Sequence, residues 1–314
     1  MIVALLVIGF FVYKGLSKED KKDNQKEENK EVITPLLYEV TKEGSNNKMY
    51  LFGSIHAANS LDLNLPDYVL NAYKNSHYLA CEYNLVEASS DQEAILDQTM
   101  QLLYQDGTTI KDHLSTNTYN KLIDFLTKKE SYVNVYEQYK PFFFYSLISN
   151  LLIGDAKLSA NAGIDMYFIR KAIEDKKTIL EVESSEFQSN LLYSFPDTLY
   201  DLMLSEEIDD YDKSVTDLID LYNSWKNGDI NKLGVLVKED LEVKDSYTKE
   251  QKEAIKDYNK KLIDDRNITM TDKAIEYFNS NKDVFFMVGT LHIIDDNGLV
   301  NNLKAKGFTV TQVK

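Results

Sequence analysis

The sequence predicts an α/β protein whose central mixed sheet is formed by N- and C-terminal segments, with a large helical insertion between them. Two observations carry this prediction. Apolar, β-prone runs concentrate near the two ends of the 314-residue chain, whereas the middle places apolar residues at helical spacing. One pattern also occurs twice: residues 51–56 (LFGSIH) and 285–292 (FFMVGTLH) each run from an apolar stretch through Gly and two further residues to His.

The chain begins with an uncharged apolar run, residues 1–13, and becomes highly charged after Lys14. We expect residues 1–16 to be a signal peptide or membrane anchor, although a full bilayer span needs roughly 20 apolar residues. Residues 17–34 mix both charges and predict a disordered linker. The folded domain, residues 35–314, is therefore expected to be membrane-anchored or secreted and to lie outside the cytoplasm.

The first part of this domain predicts a β-hairpin, a helix and a core strand. Residues 36–40 and 49–52 are apolar and flank the turn sequence EGSNN at 43–47. Residues 67–75 then follow a proline with apolar positions at helical spacing. Residues 78–82 read as a second core strand that ends on a carboxylate, which is unusual for an apolar run.

The predicted helical insertion covers about residues 87–280. Its amphipathic runs include 93–103, 116–126 and 136–152. The aromatic run at 141–145 is predicted to start a helix, with Pro141 near the first turn, where no backbone donor is needed. The aromatic residues after Pro141 are predicted to belong to the core. Within and after the insertion we expect a third strand at 177–183, helices at 163–172, 266–278 and 298–305, the second Gly-x-x-His strand and a last strand at 308–313.

Four chemically active side chains follow the predicted strands: His56, Glu82, Glu183 and His292. In an open α/β sheet, ligands gather beyond the carboxyl ends of the parallel strands. The same rule therefore brings these four residues to one edge of the sheet.

The glycines of the repeated pattern, Gly53 and Gly289, allow the chain to turn sharply off a strand and to approach a ligand closely. Two histidines and a carboxylate are a recognised ligand set for a catalytic ion with open positions. We therefore predict that His56, Glu82 and His292 bind a divalent metal (Mn, Co or Zn). Such an ion lowers the pKa of its bound water.

Two other interpretations stay open at this stage. In a metal-free site, one histidine acts as general base, Glu82 assists it and Arg266 stabilises an oxyanion. Alternatively, both Gly-x-x-His histidines are satisfied core residues at strand ends. The other two histidines, His77 and His113, lie in polar surroundings and are predicted at the surface.

Composition excludes several classes of function. A net charge of −16 argues against nucleic-acid binding, which needs clustered Lys and Arg. Cys81 is the single cysteine, so neither an internal disulfide nor a Cys-Cys metal site can form. Of the 35 Lys and Arg residues, only Arg170 and Arg266 are arginines. An arginine in so lysine-rich a chain suggests a position that needs the planar guanidinium group.

These residues resemble the motifs of the TraB/GumN/PrgY family, which includes the Tiki membrane-anchored proteases. The similarity covers roughly residues 36–314, with the elements in the same order. The matching elements are Gly53 to His56, Glu82, Lys140-Pro141, Gly163-Ile-Asp165, Val182-Glu183-Ser184 with Gln188, Arg266-Asn267, Gly289 to His292, Gly298-Leu299 and Gly307. At one point the chain departs from the family, which usually has Gly where this chain has Asp295.

The resemblance implies a fold shared with erythromycin-esterase-like and ChaN-like proteins, and a site built from His56, Glu82, Arg266 and His292, supported by Asp165 and Glu183. It implies a metal-dependent hydrolase of peptide or small-molecule substrates, with Arg266 polarising the scissile carbonyl. Two alternatives remain: a non-catalytic protein that binds and sequesters a pheromone-like peptide, and a haem- or iron-binding protein.

Overall fold

The structure, a computed structural model, describes residues 33–59, 64–240, 242–294 and 296–314. The predicted N-terminal segment 1–16, residues 17–32 of the predicted linker, and Asp295 lie outside these ranges. Among the helices of the described ranges, none is long and apolar enough to cross a membrane.

Within the described residues, six strands form one sheet in the order β4-β3-β5-β2-β1-β6. Strands β1, β2 and β3 come from the N-terminal part of the chain, β5 and β6 come from the C-terminal part, and β4 comes from the middle. The predicted α/β fold with a mixed sheet is therefore confirmed. The strand bounds are Leu37–Thr41 (β1), Met49–Ser54 (β2), Tyr78–Cys81 (β3), Thr178–Glu181 (β4), Val284–Gly289 (β5) and Thr309–Val313 (β6).

The sheet is parallel on one side and antiparallel on the other. Strand β5 pairs in parallel with both β2 and β3, and β3 pairs in parallel with β4. Strand β1 runs antiparallel to β2 and β6. All six residues of β5 are buried, as expected for a central parallel strand made entirely of apolar residues and glycine. The four parallel strands thus end at the same edge.

Helices make up most of the remaining described chain, and many begin at a residue whose side chain accepts a hydrogen bond from the first turn, such as Asn84, Ser115, Ser184 and Thr248. Their bounds are Asp67–Asn75 (α1), Leu85–Ser90 (α2), Gln92–Gln101 (α3), Ile110–His113 (α4), Thr116–Lys128 (α5), Pro141–Asp155 (α6), Ile164–Glu174 (α7), Ser185–Tyr193 (α8), Asp197–Asp209 (α9), Tyr211–Lys226 (α10), Ile230–Asp240 (α11), Lys249–Asn259 (α12), Asp265–Asn279 (α13), Thr290–Ile294 (α14) and Leu299–Ala305 (α15).

The amphipathic run at 136–152 is divided in the structure. A short 3₁₀ turn, Asn134–Gln138, comes first, and α6 begins at Pro141, which confirms the predicted helix start. Proline disfavours helical geometry in the preceding residue, and Lys140 is accordingly extended, with φ −69° and ψ 161°. The aromatic residues that follow Pro141 are buried on all sides of α6, so their assignment to the core is correct.

One element of irregular helix lies beside the site. Helices α12 and α13 are joined by a π-helical turn at Lys260–Asp264. Such turns insert an extra residue and often occur at functional sites. Here the turn ends two residues before Arg266, whose Nη1 donates a 3.3 Å hydrogen bond to the carbonyl of Leu262 in the turn. The π turn thus takes part in holding the guanidinium of Arg266.

Candidate active site

The structure brings the four predicted strand-end residues to one edge of the sheet. His56, Glu82, Glu183 and His292 follow the last residues of β2, β3, β4 and β5 by one to three positions. Because neighbouring parallel strands end side by side, residues that are up to 236 positions apart in the chain become neighbours in space.

The centre of this edge is an ion-pair network around Arg266, which is 1% exposed. Its Nε donates to Glu183 Oε1 at 2.9 Å, and its Nη2 donates to Glu183 Oε2 at 2.9 Å and to Glu82 Oε2 at 2.7 Å. Arg266 is thus paired in a bidentate manner with one carboxylate while it also contacts a second. Such planar, multivalent pairing is specific to arginine.

Two further groups hold the glutamates. Gln188 donates through its single Nε2 to Glu82 Oε2 at 2.9 Å and to Glu183 Oε2 at 2.8 Å. The backbone N–H of Gly289 donates to the other oxygen of Glu82 at 2.9 Å. Burial acts to raise the pKa of Glu82, but Arg266 and the two site histidines outweigh it and hold that pKa at about 2. Glu82 is therefore an anion at physiological pH.

His56 is paired with a carboxylate. Its Nδ1 lies 2.7 Å from Asp165 Oδ2, and the hydroxyl of Ser54 donates to the other oxygen of Asp165 at 2.6 Å. Burial alone would lower the pKa of His56, but Asp165 and then Glu82 raise it above its usual value. Asp165 lies at the start of α7, which approaches the backbone of His56 so closely that a Cβ at Gly163 would lie 2.3 Å from the His56 carbonyl.

His292 is paired with an amide instead. It is 2% exposed, and its Nδ1 lies 2.7 Å from the side-chain oxygen of Asn267. An amide oxygen only accepts, so Nδ1 carries the proton and Nε2 presents a lone pair. Burial and then the cation of Arg266 lower the pKa of His292 to about 3, so the ring is neutral at physiological pH. Among the described residues, the buried Nδ2 of Asn267 has no hydrogen-bond partner.

Gly289 lies where the active side chains converge. A Cβ on this residue would lie 3.4 Å from Glu82 Oε1, 3.7 Å from His292 Cδ2 and 3.8 Å from His56 Nε2. The missing side chain therefore leaves room among these three groups. Gly53 serves a different purpose, because a Cβ there would lie only 2.7 Å from Thr290 Oγ1. Glycine at that position lets the chain after β5 pack closely on β2.

A cavity of about 20 Å³, enough for about one water molecule, adjoins His56 and Glu82. Its other lining residues are mostly apolar and come from the end of β3 and the residues after it, from α7 and the turn before it, and from α8, and they include Cys81 and Tyr83. Burial raises the pKa of both the Cys81 thiol and the Tyr83 phenol, so both groups stay protonated at physiological pH. The cavity thus joins an apolar wall to the polar residues of the site.

The remaining histidines lie elsewhere. The side chain of His77 is 78% exposed and pairs with Asp283, as predicted for a surface residue. The surface prediction for His113 is only partly right, because its side chain is 26% exposed. His113 Nδ1 lies 2.7 Å from Asp197, and its Nε2 lies 2.8 Å from the hydroxyl of Thr108. Sequence reasoning gives no role to Asn267, Gln188 or Tyr83. The family elements contain Asn267 and Gln188, whereas nothing in the sequence singled out Tyr83.

Fold and site together define an α/β protein with a buried His, Glu and Arg cluster at the carboxyl edge of a mixed sheet. The model of the TraB/PrgY/gumN family matches residues 36–312, nearly the whole chain, and the protein belongs to that family. No curated protein and no solved structure shows significant similarity to the chain.

Proposed function

We propose that this protein is a hydrolase, most consistent with a peptidase, whose site is formed by His56, Glu82 and His292. The observation that carries the proposal is their convergence on Gly289, where a missing side chain leaves space within 3.4–3.8 Å of all three. Core histidines kept for packing alone would not need to surround such a space together with a buried carboxylate. The interpretation of both histidines as satisfied core residues is therefore the weaker one.

The orientation of both histidine rings supports ligand binding. Each Nδ1 is engaged by a partner, Asp165 for His56 and Asn267 for His292, at 2.7 Å in both cases. An oxygen partner at Nδ1 fixes the tautomer and leaves Nε2 as an acceptor, which is the usual arrangement around metal-bound histidines. Among the described residues, no three His, Cys, Asp or Glu side chains are arranged to hold an ion as they stand.

The charge of the site favours a divalent cation. Glu82, Glu183 and Asp165 are carboxylates with buried side chains, and Arg266 is the permanent cation among them. With His292 neutral, the cluster carries two excess negative charges when His56 is neutral and one when His56 is protonated, and such charge is costly to bury unless it is compensated. Two imidazoles and one carboxylate suit Mn, Co or Zn. When bound, such an ion makes a water nucleophilic at neutral pH and polarises a carbonyl.

The residues of the chain have distinct roles in this proposal. Asp165 and Asn267 orient the two imidazoles, and Gln188 and Arg266 hold Glu82 in one rotamer. Arg266 is a positioning residue in this arrangement, because its donors reach carboxylates and the carbonyl of Leu262. We therefore do not retain the role of carbonyl polarisation that the sequence suggested for it.

A metal-free mechanism uses the same geometry. The Asp165–His56 pair then acts as a general base, since a carboxylate at Nδ1 and a raised pKa both make Nε2 a better proton acceptor. The two mechanisms make opposite predictions about chelators, so one experiment separates them.

The test begins with the metal content of the purified domain and a digest of a peptide mixture read by mass spectrometry, with and without chelator. We expect a bound divalent ion, chelator-sensitive cleavage and loss of both in His292→Ala. The matched control, His77→Ala, changes an exposed histidine outside the site and should keep both. Cleavage that survives chelation supports the metal-free mechanism.

Other outcomes would contradict hydrolysis itself. Stoichiometric peptide capture without cleavage would indicate a sequestering protein, and a Soret band on adding haem would indicate haem binding. If His292→Ala keeps full metal occupancy and activity, the site assignment is wrong.

We further propose that the apolar run at residues 1–13 anchors the domain to a membrane or directs its export. Support comes from the abrupt change in composition after Lys14. Fractionation of cells that express the whole chain, compared with a chain lacking residues 1–32, tests this point. Equal recovery of both chains in the cytosol would contradict it.

A further inference from the structure

A hydrolase must stabilise the negative charge that develops on the carbonyl oxygen of its substrate, and hydrogen-bond donors aimed at that oxygen contribute much of the rate. In this site most N–H groups that could donate to such an oxygen already donate to carboxylates. The N–H groups of Arg266 reach Glu82 and Glu183, and the N–H of Gly289 reaches Glu82. A hydrogen-bond donor for the oxyanion must therefore come from another side chain, such as one that lines the cavity beside His56.

Most side-chain donors that line this cavity are engaged as well. Gln188 Nε2 donates to Glu82 and Glu183, and His56 Nδ1 is paired with Asp165. The thiol of Cys81 donates to the carbonyl of Tyr83 at 3.4 Å. Tyr83 also lines the cavity, and its hydroxyl takes part in none of the hydrogen bonds among the residues that the structure describes. Tyr83 is thus the lining side chain with an uncommitted neutral donor.

The backbone around Tyr83 is held firmly, as a preorganised donor requires. On one side, the N–H of Glu183 donates to the carbonyl of Glu82 at 2.8 Å. On the other side, the N–H of Asn84 donates to Glu181 Oε1 at 2.7 Å, and the Asn84 side chain caps α2. Tyr83 itself is only 7% exposed, so its ring is packed while it borders the cavity.

We propose that the hydroxyl of Tyr83 donates a hydrogen bond to the oxyanion that forms during hydrolysis. This inference rests on the proposed hydrolase function. Water adds to the carbonyl carbon, and the C=O π pair moves onto the oxygen, which accepts the bond from Tyr83. When the tetrahedral centre collapses, the pair returns, the C–N bond breaks, and the proton released by the water ends on the leaving nitrogen.

Tyr83→Phe tests this role because it removes only the hydroxyl. The probe is the peptide that the wild-type chain cleaves fastest in the mixture digest. We expect kcat to fall about 10²-fold in Tyr83→Phe, with KM within about twofold, because the lost bond forms only in the transition state. The matched control is Tyr78→Phe, at the opposite end of β3, whose ring contacts Lys282. Both kinetic constants should stay near wild type in this control.

A binding measurement separates loss of the hydrogen bond from loss of folded protein. A phosphonamidate analogue of the same peptide should bind Tyr83→Phe about 10²-fold more weakly than wild type, whereas the cleaved product should bind both equally. The ratio of these two affinities does not depend on the folded fraction. An unchanged kcat or an unchanged ratio overturns the role of Tyr83 alone. A wild-type chain that cleaves no peptide overturns the proposed function and this inference together.

Discussion

The two Gly-x-x-His segments have the same local pattern but different surroundings. They follow β2 and β5, which pair in parallel with Ser54 opposite Gly289. Beyond the strands they diverge. The first enters a loop and pairs His56 with the carboxylate of Asp165, whereas the second enters α14 and pairs His292 with the amide of Asn267. One motif thus delivers two imidazoles with different partners.

The different surroundings shift the pKa values of the two rings in opposite directions. Asp165 raises the pKa of His56 against the effect of burial, whereas burial and Arg266 lower the pKa of His292 to about 3. The partners lie 109 and 25 positions away in the chain. A local motif therefore places a histidine, and a residue on another element decides its chemistry.

The two histidines should differ most in how their contributions to the stability of the protein depend on pH. His292 has a folded pKa below its unfolded value of 6.5, so its contribution to stability is complete above pH 6.5 and is lost as pH falls toward 3. A decrease from 6.5 to about 3 corresponds to roughly 5 kcal/mol. His56 has the opposite sign: its contribution is complete below pH 6.5 and is lost as pH rises through its raised pKa.

Denaturant unfolding of the metal-free protein at several pH values measures this contribution. His292→Gln should be much less acid-sensitive than wild type between pH 6.5 and 3, whereas the surface control His77→Gln should follow wild type. Equal pH slopes for His292→Gln and wild type would show that the His292 ring is not held neutral.

The two glycines should respond to alanine in opposite ways. Gly289→Ala places a Cβ at van der Waals distance from Glu82 and both histidines, so the fold tolerates it while the space among these groups is lost. We expect activity to fall more than about 10²-fold, since small displacements of reacting groups have effects of this size. The free energy of unfolding should change by less than about 1 kcal/mol.

Gly53→Ala should instead destabilise the protein by about 2 kcal/mol, because its Cβ would lie 2.7 Å from Thr290 Oγ1 and 3.3 Å from the Cα of the same residue. Each variant is the control for the other when activity per folded molecule and unfolding are measured together. If both variants changed activity and the free energy of unfolding in the same way, the two glycines would have the same role.

Much of the fold could be predicted because its signals are local. Apolar strands at the two chain ends, helical spacing between them and the carboxyl-edge rule were enough to bring together His56, Glu82, Glu183 and His292. The helix start at Pro141 was predicted correctly from the proline, whereas the amphipathic run at 136–152 extends across this boundary into residues that the proline excludes from the helix. Local sequence preference outweighed periodicity there.

The partners of the site residues were harder to predict because they depend on tertiary contacts. Nothing local distinguishes Asp165 or Asn267 from other polar residues at the start of a helix, and only the family motifs pointed to them. Arg266 was found through its rarity, but its role changed once Glu82 and Glu183 were seen to engage its donors. Burial and charge pairing decide the roles of these site residues, and neither can be read from the spacing of residues in the sequence.

Asp165→Asn should weaken the function of His56, in the first Gly-x-x-His segment, while leaving His292, in the second, unchanged. The amide can no longer act as an anion at His56 Nδ1, which weakens Nε2 as a ligand or base and loosens the ring orientation. Changes in such supporting partners typically lower metal affinity or activity by about 10–100-fold. Titrating metal into chelator-treated protein measures the metal affinity, and peptide cleavage measures the activity. Wild-type values for both would remove Asp165 from the site.

Asn267→Asp is the converse change, since it gives His292 the same kind of partner as His56. The new carboxylate should raise the pKa of His292 from about 3 toward that of an ion-paired histidine. Acid sensitivity below pH 6.5 should then decrease as it does in His292→Gln. Nδ1 still donates to an oxygen and, above the raised pKa, Nε2 keeps its lone pair, so activity in that pH range should fall by less than about tenfold. Histidine titration by NMR in metal-free protein would show the pKa shift directly. A His292 ring that stays neutral beside the introduced carboxylate would mean that burial and Arg266 alone determine its protonation.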